Sequence, residues 1–126
     1  MDSRELGTYG EEQAALYLRS KGYDILKMNF RCRTGEIDII ASDMDYLVFV
    51  EVKLRKNGNY GTAAEYVMYS KQRRILSAAR YYLAGKKLEK QPRFDVVEVI
   101  APQGDKEKPK INHIEDAFSY GSVYNR

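Results

Sequence analysis

Gly35-Glu-Ile-Asp-Ile-Ile-Ala41, the short polar link Ser42-Asp-Met-Asp45, and Tyr46-Leu-Val-Phe-Val-Glu-Val-Lys53 together decide the fold. Two runs rich in β-branched residues, joined by an Asp-bearing link, read as an antiparallel pair of strands. The second run is apolar on both alternating faces, with Tyr46, Val48, Val50 and Val52 on one and Leu47 and Phe49 on the other. Such a strand is central and covered on both sides. Its far end nevertheless carries Glu51 and Lys53, two residues apart and therefore on one face.

If the link closes the hairpin symmetrically, Ala41 faces Tyr46, Asp38 faces Phe49 and Glu36 faces Glu51. Glu36, Asp38, Glu51 and Lys53 then share one side of the sheet. Like charges placed opposite each other destabilise a sheet, so the cluster calls for a counter-charge. Lys53 supplies one. A divalent cation supplies more, since Mg²⁺ is held through one or two carboxylates together with waters and phosphates. The plainer reading is a solvated strand end in which Lys53 only pairs with Glu51. Charges entering a doubly covered strand weigh against it, because they are seldom left there without a partner or a metal.

Working outward, Ser3 to Lys21 reads as a helix closed by Gly22, with Leu6, Gly10, Ala14, Tyr17 and Leu18 on its inner stripe. Glu11 lies beside that stripe. Gly7 and Gly10 lower helix propensity, which suggests close approach to another backbone. Tyr23 to Phe30 reads as a first strand leading into Arg31 and Arg33. Lys56 to Thr62 is a turn-rich loop of the kind that carries substrate contacts. A second helix spans Ser70 to Ala84, with Ser70 as N-cap and Ile75, Ala79, Tyr82 and Leu83 buried. Lys71 at its N-terminal end suits a phosphate oxygen, or else merely snorkels at the edge of the stripe. Arg93 to Ile100 is a further strand, in which Asp95 pairs with a base or a backbone amide. Ile111 to Ile114 reads as a short edge strand, and Glu115 to Tyr120 as a terminal turn or helix.

A chain of 126 residues with 44% hydrophobic and 31% charged content is sized for one domain, residues 1–126, with one core. No apolar run is long enough for a membrane span, and no leader for export is evident. The single Cys32 excludes an internal disulfide, and one histidine, His113, excludes a Cys/His zinc framework. A cytoplasmic protein is the expectation. The net charge of +3 permits a polyanionic partner without demonstrating one.

The order helix, three strands, helix, strand, with Glu11, Asp38 and Glu51-x-Lys53 in sequence, resembles the PD-(D/E)xK nuclease superfamily. Nearly the whole chain is similar to the bacterial YraN family of uncharacterised, endonuclease-like proteins. The likeness rests on Gly7-x-x-Gly-Glu11, Ala14-x-x-Tyr-Leu18, Gly22-Tyr23-x-Ile-Leu26, Asn29-x-Arg31, Gly35 to Ala41, Val48 to Lys53, Arg93-Phe-Asp-Val-Val97, His113-Ile114 and Ala117-Phe118. The core motifs are also similar to those of archaeal Holliday-junction resolvases. The resemblance implies a restriction-endonuclease-like α/β fold: a three-layer core in the order α-β-β-β-α-β, its mixed central sheet flanked by helices. It implies that Asp38 and Glu51 hold Mg²⁺ or Mn²⁺ with help from the Val52 carbonyl. Glu11 would act through water, and Lys53 would orient or help deprotonate the attacking water. The superfamily's Pro-Asp pair is absent, because Ile37 precedes Asp38.

The function expected on these grounds is metal-dependent phosphodiester hydrolysis, in structured or branched DNA, with Arg31, Arg33, Arg55 and Lys71 on the nucleic-acid backbone. A homodimer is one arrangement that such nucleases use. The alternative is a module that keeps the nuclease fold and binds nucleic acid or a DNA-processing partner without cutting. A third reading is an interaction subunit using Tyr60, Tyr66 and Tyr69.

Overall fold

The structure is a computed structural model that describes residues 2–55, 69–101 and 108–121. The Lys56–Thr62 loop and the tyrosines at 60 and 66 lie outside the described residues. The elements are α1 (Ser3–Ser20), β1 (Asp24–Cys32), β2 (Gly35–Ser42), β3 (Tyr46–Arg55), α2 (Tyr69–Leu83), β4 (Gln91–Ile100) and β5 (Lys110–Phe118). The strands lie side by side in chain order, β1-β2-β3-β4-β5. Neighbours are antiparallel except β3 and β4, which run parallel from Tyr46↔Gln91 to Arg55↔Ile100. Parallel neighbours need a crossover, and α2 lies within it.

The alternation in β3 sets the layers. Val48 and Val50 join Ile39, Ala41, Val97 and Val99 in a cluster closed by Ala14, Ala15 and Leu18 of α1. Phe49 joins Ile37, Ile40, Phe94 and Val96 in a second cluster, closed by Ile75, Leu76, Ala78 and Ala79 of α2. One helix thus covers each cluster, giving a three-layer α/β core with β3 at its centre. Phe49 is fully buried, stacked on Phe94 at 5.2 Å and edge-on to Tyr82 at 6.1 Å. A side chain of that size contributes about 2–3 kcal/mol by burial.

Local chemistry fixes the ends. The Asp2 Oδ1 accepts from the Glu5 amide at 2.8 Å, capping α1. Gly22, at φ +93°, ends it, its N–H donating to the Arg19 carbonyl at 3.0 Å. The two glycines inside α1 do not serve a backbone approach. A Cβ at Gly7 would meet nothing within 4 Å, and one at Gly10 would meet only the Leu54 and Val52 side chains, at 3.6 Å and beyond.

The expected hairpin register is corrected by two residues. Ile40 faces Phe49, Ala41 faces Val48 and Ser42 faces Leu47, so Asp38 does not face Phe49. The Asp43 side chain causes this. Its Oδ1 accepts from the Asp45 and Tyr46 amides at 2.9 and 2.7 Å, while its own N–H donates to the Tyr46 carbonyl at 3.1 Å. That Asx turn closes the hairpin around Met44 and Asp45 alone. A slip of two preserves sidedness, so Asp38 stays on the face of Glu51.

Two further expectations change. Ser70 lies inside the first turn of α2, not at its cap, because the helix already includes Tyr69. The final strand runs on to Phe118, so Glu115 to Phe118 are not helical. Asp116, at φ +53°, gives the reason: its N–H donates to Asp95 Oδ1 at 3.0 Å, where the β4–β5 register shifts.

Asp95 is the hub of a buried network joining α1, β4 and β5. It accepts two bonds from Arg93, at 2.8 and 2.9 Å, and lies 2.7 Å from His113 Nε2. His113 Nδ1 meets the Tyr17 hydroxyl at 3.2 Å, and Arg93 donates to the Tyr23 hydroxyl at 2.7 Å. Burial alone would raise the Asp95 carboxyl, but His113, Arg93 and the Asp116 amide outweigh it and hold it below its ordinary value.

On the other face, α2 docks against the β1–β2 turn. Ser77 donates to the Thr34 hydroxyl at 2.8 Å, and Tyr120 donates to the Leu76 carbonyl at 3.0 Å. Gly35 is required there, since a Cβ on it would overlap the Arg74 carbonyl. Gly35→Ala is therefore expected to lower unfolding free energy by about 2 kcal/mol in urea titrations. Gly7→Ala, in open helix, should raise it by up to about 1 kcal/mol. Equal effects at the two positions would contradict this packing.

Candidate metal and phosphodiester site

The β2 strand begins at Gly35 and β3 runs to Arg55, yet the two pair only over Ile39–Ser42 and Leu47–Val50. Beyond Val50 they part, and β3 continues against β4 alone. Parting strands leave backbone donors without ladder partners. In this fork the Asp38 carboxylate takes one of them, its Oδ2 accepting from the Val52 amide at 2.8 Å. The bond turns Asp38 toward β3 and sets it beside Glu51.

Glu51 is buried, only 5% exposed. Its Oε1 faces Lys53 Nζ at 3.7 Å and Lys71 Nζ at 3.9 Å. Its Oε2 is also buried and has no hydrogen-bond partner among the described residues. The neighbouring Asp38 carboxylate is itself an acceptor and can bond to Glu51 only when Glu51 carries a proton. Burial first, and then the Asp38 charge, push the Glu51 carboxyl up to about 7, against the pull of Lys71 and Lys53. Asp38 is raised in the same direction by burial, partly offset by the Val52 amide and Lys71.

Two more carboxylates border the pair. Glu36 on β2 lies 3.5 Å from Arg31 Nε and 3.8 Å from Lys71 Nζ. Glu11 arrives from α1 on the other side. Its carboxyl is raised by burial and by the charges of Asp38 and Glu36, and is held down by a hydrogen bond to Asn29. Asn29 sits at φ +52° within β1, a conformation that asparagine tolerates better than most residues.

The fork therefore brings together Glu11, Asp38, Glu51 and Lys53, with Val52 between the last two, and adds Glu36, Asn29 and Lys71. Arg31 and Arg33 stand exposed at the β1–β2 turn. Arg55 is half-buried and paired with Glu98 on β4, its Nε 3.2 Å from Oε2. Sequence reasoning gave Asn29 no role, because nothing in strand periodicity signals a left-handed residue. It placed Lys71 toward phosphate and not between Glu36 and Glu51, since its partners come from two strands distant in sequence.

A divalent cation suits the pair on two observations. An ionised Glu51 leaves a buried acceptor oxygen unsatisfied, and two adjoining carboxylates are hard oxygen donors of the kind Mg²⁺ or Mn²⁺ takes. No group of three or more acidic, histidine or cysteine side chains gathers at ligand spacing among the described residues. A cation here would have Asp38 and Glu51 as its side-chain donors, and Mg²⁺ sites ordinarily complete their shell with waters.

The buried acids on the two faces contrast. Asp95 is surrounded by donors and lowered, whereas Glu51 is short of them and raised. The native state holds a proton on Glu51 that the unfolded chain has released between about pH 4.5 and 7. Stability at this position is complete below the unfolded value and is lost as pH rises through 7. Glu51→Gln, which imitates the protonated form, should therefore match wild type at pH 4. At pH 8 without metal it should be more stable, by about 3 kcal/mol. Thermal melts at both pH values check this, and a variant less stable at pH 8 would oppose it.

Among the described residues no helix is long and apolar enough to cross a membrane. The chain matches the family model described as uncharacterised protein family UPF0102 over residues 10–99. It is 43% identical over 119 residues to a UPF0102 protein of Caldanaerobacter subterraneus, covering 94% of this chain and 98% of the relative. It is 46% identical to a UPF0102 protein of Rhodococcus opacus, covering 90% of this chain and 95% of the relative. With one from Geotalea daltonii the identity is 48%, over 93% and 91% of the two chains. The residues matched include most of α1, all of α2 as described and the whole fork, as the YraN-type motifs led one to expect: the chain belongs to the UPF0102 family.

Proposed function

We propose that this protein is a divalent-metal-dependent nuclease hydrolysing phosphodiesters, with structured or branched DNA as its substrate. The observation that carries the reading is the Asp38–Glu51 pair in the β2–β3 fork, in which Glu51 has two lysines on one oxygen and no donor on the other among the described residues. A module that only bound DNA would not place buried carboxylates where phosphate must approach. Asp38 and Glu51 would hold the ion, with the Val52 carbonyl and, through water, Glu11 beside them. When bound, the ion supplies positive charge that activates water and neutralises charge building on the phosphate.

The chain's own groups do the rest. Lys53 shares Glu51 Oε1 and positions the attacking water through its ammonium N–H groups. The water oxygen bonds to phosphorus and gives up a proton to solvent, the bond to the leaving sugar oxygen breaks, and that oxygen takes up a proton from solvent. Arg31 and Arg33 contact backbone phosphates without reading sequence. Cutting both strands of a duplex takes two such sites, hence two copies of the chain.

Incubation with Mg²⁺ and labelled duplex, flapped, single-stranded and four-way-junction DNA tests the reading. Wild type should cleave at least one form, and Asp38→Ala or Lys53→Ala should lower the rate by about a hundredfold or more. Variants cutting at the wild-type rate would refute the assignment. Salt-sensitive, metal-independent binding with no cleavage would instead favour a non-catalytic DNA-binding module.

A further inference from the structure

Lys71 is not placed like a peripheral backbone clamp. Its amine lies within 4 Å of carboxylates on two strands, Glu36 of β2 at 3.8 Å and Glu51 of β3 at 3.9 Å, so it spans the mouth of the fork. Its side chain is 30% exposed, leaving it open to a ligand on one side. The helix that carries it is fixed by the Gly35–Arg74 approach and by the Ser77–Thr34 and Tyr120–Leu76 hydrogen bonds. The position is therefore set by tertiary packing and not by the free swing of a surface lysine. Lys71 also lies near the start of α2 as described, Tyr69–Leu83. Exposed arginines at the β1–β2 turn, Arg31 and Arg33, have no comparable hold on the carboxylates of β3.

We infer that Lys71 is a catalytic residue of the proposed reaction, contacting a non-bridging oxygen of the phosphate that is cut. The inference rests on the nuclease reading and deepens it. Lys71 neutralises Glu36 and Glu51 in the free protein. Once Glu51 is engaged by a divalent ion, the strongest uncompensated negative charge at the mouth of the fork is the phosphate itself. The ammonium then has a partner within reach of its flexible stem, at the atom where charge increases as water adds. Lys53, on the same Glu51 oxygen, is left to the water. The two lysines thereby divide nucleophile and phosphate between them.

Two readouts test this, and the second needs no cleavage. In steady-state kinetics on the best DNA substrate, Lys71→Ala should lower kcat by about a hundredfold with KM changed less than threefold. Lys71→Arg should recover most of the loss, and Arg33→Ala should raise KM with kcat near wild type. In calorimetric titrations with thymidine 5′-monophosphate and Ca²⁺, Lys71→Ala should weaken phosphate binding about tenfold, with Arg19→Ala, exposed on α1, unchanged. Lys71→Arg should bind within about threefold of wild type. A Lys71→Ala protein that keeps wild-type nucleotide affinity would overturn the inference, and so would wild type that binds no nucleotide. If wild type binds the nucleotide through Lys71 but cuts no DNA, the nuclease reading fails and the phosphate contact stands.

Discussion

The parting of β2 and β3 beyond Ile39 and Val50 is the constraint on which the rest of the site depends. A continuous ladder would occupy the backbone groups of β3 and press its polar side chains against those of β2. Because the strands separate, the Val52 amide needs another acceptor, and the Asp38 carboxylate supplies it. That one bond settles where Asp38 points. It also places Asp38 beside Glu51, where burial and then the Asp38 charge raise the Glu51 carboxyl. The flanking layers keep the fork in shape. Phe49 locks β3 into the α2 side, and Val48 and Val50 lock it into the α1 side, one pleat before the strands diverge.

The two faces of the sheet treat buried acid differently, and the difference separates architecture from chemistry. On the α1 side, Asp95 receives Arg93, His113 and the Asp116 amide, and it is held ionised while joining β4 to β5. A carboxylate so fully bonded has little capacity left for a ligand. On the α2 side, Glu51 has two lysines on one oxygen and no donor on the other among the described residues. Unsatisfied buried charge is costly, and perturbed groups of this kind cluster at functional sites. The fork is therefore the part of the molecule where stability is given up.

Much of this was legible in the sequence because it follows from alternation. The double apolar pattern of Tyr46 to Val52 located the central strand, and the Glu51-x-Lys53 spacing put both on one face. Even the misjudged register left Asp38 on that face, since the error was two residues and not one. The register itself lay in the Asx turn of Asp43, which strand pattern cannot reveal. Other features lay in contacts between distant segments. Lys71 needs the docking of α2 on Gly35 to reach Glu36 and Glu51. Asn29 needs a left-handed residue inside β1, and the length of β5 needs the Asp116–Asp95 bond. None of these has a local signature. The homology that the motifs suggested was visible throughout, because Gly35 to Ala41 and Val48 to Lys53 carry both the family pattern and the fork.

The most direct test of the central claim is a pH titration of the Glu51 carboxyl by carbon-13 NMR, on glutamate-labelled protein with and without Mg²⁺, assigned through Glu51→Gln. The expected midpoint is about 7 in the metal-free protein. With millimolar Mg²⁺ it should fall by about one pH unit or more, because the cation favours the ionised form. A midpoint near the ordinary glutamate value, or one that Mg²⁺ leaves unmoved while Asp38 is intact, would contradict a metal site in the fork.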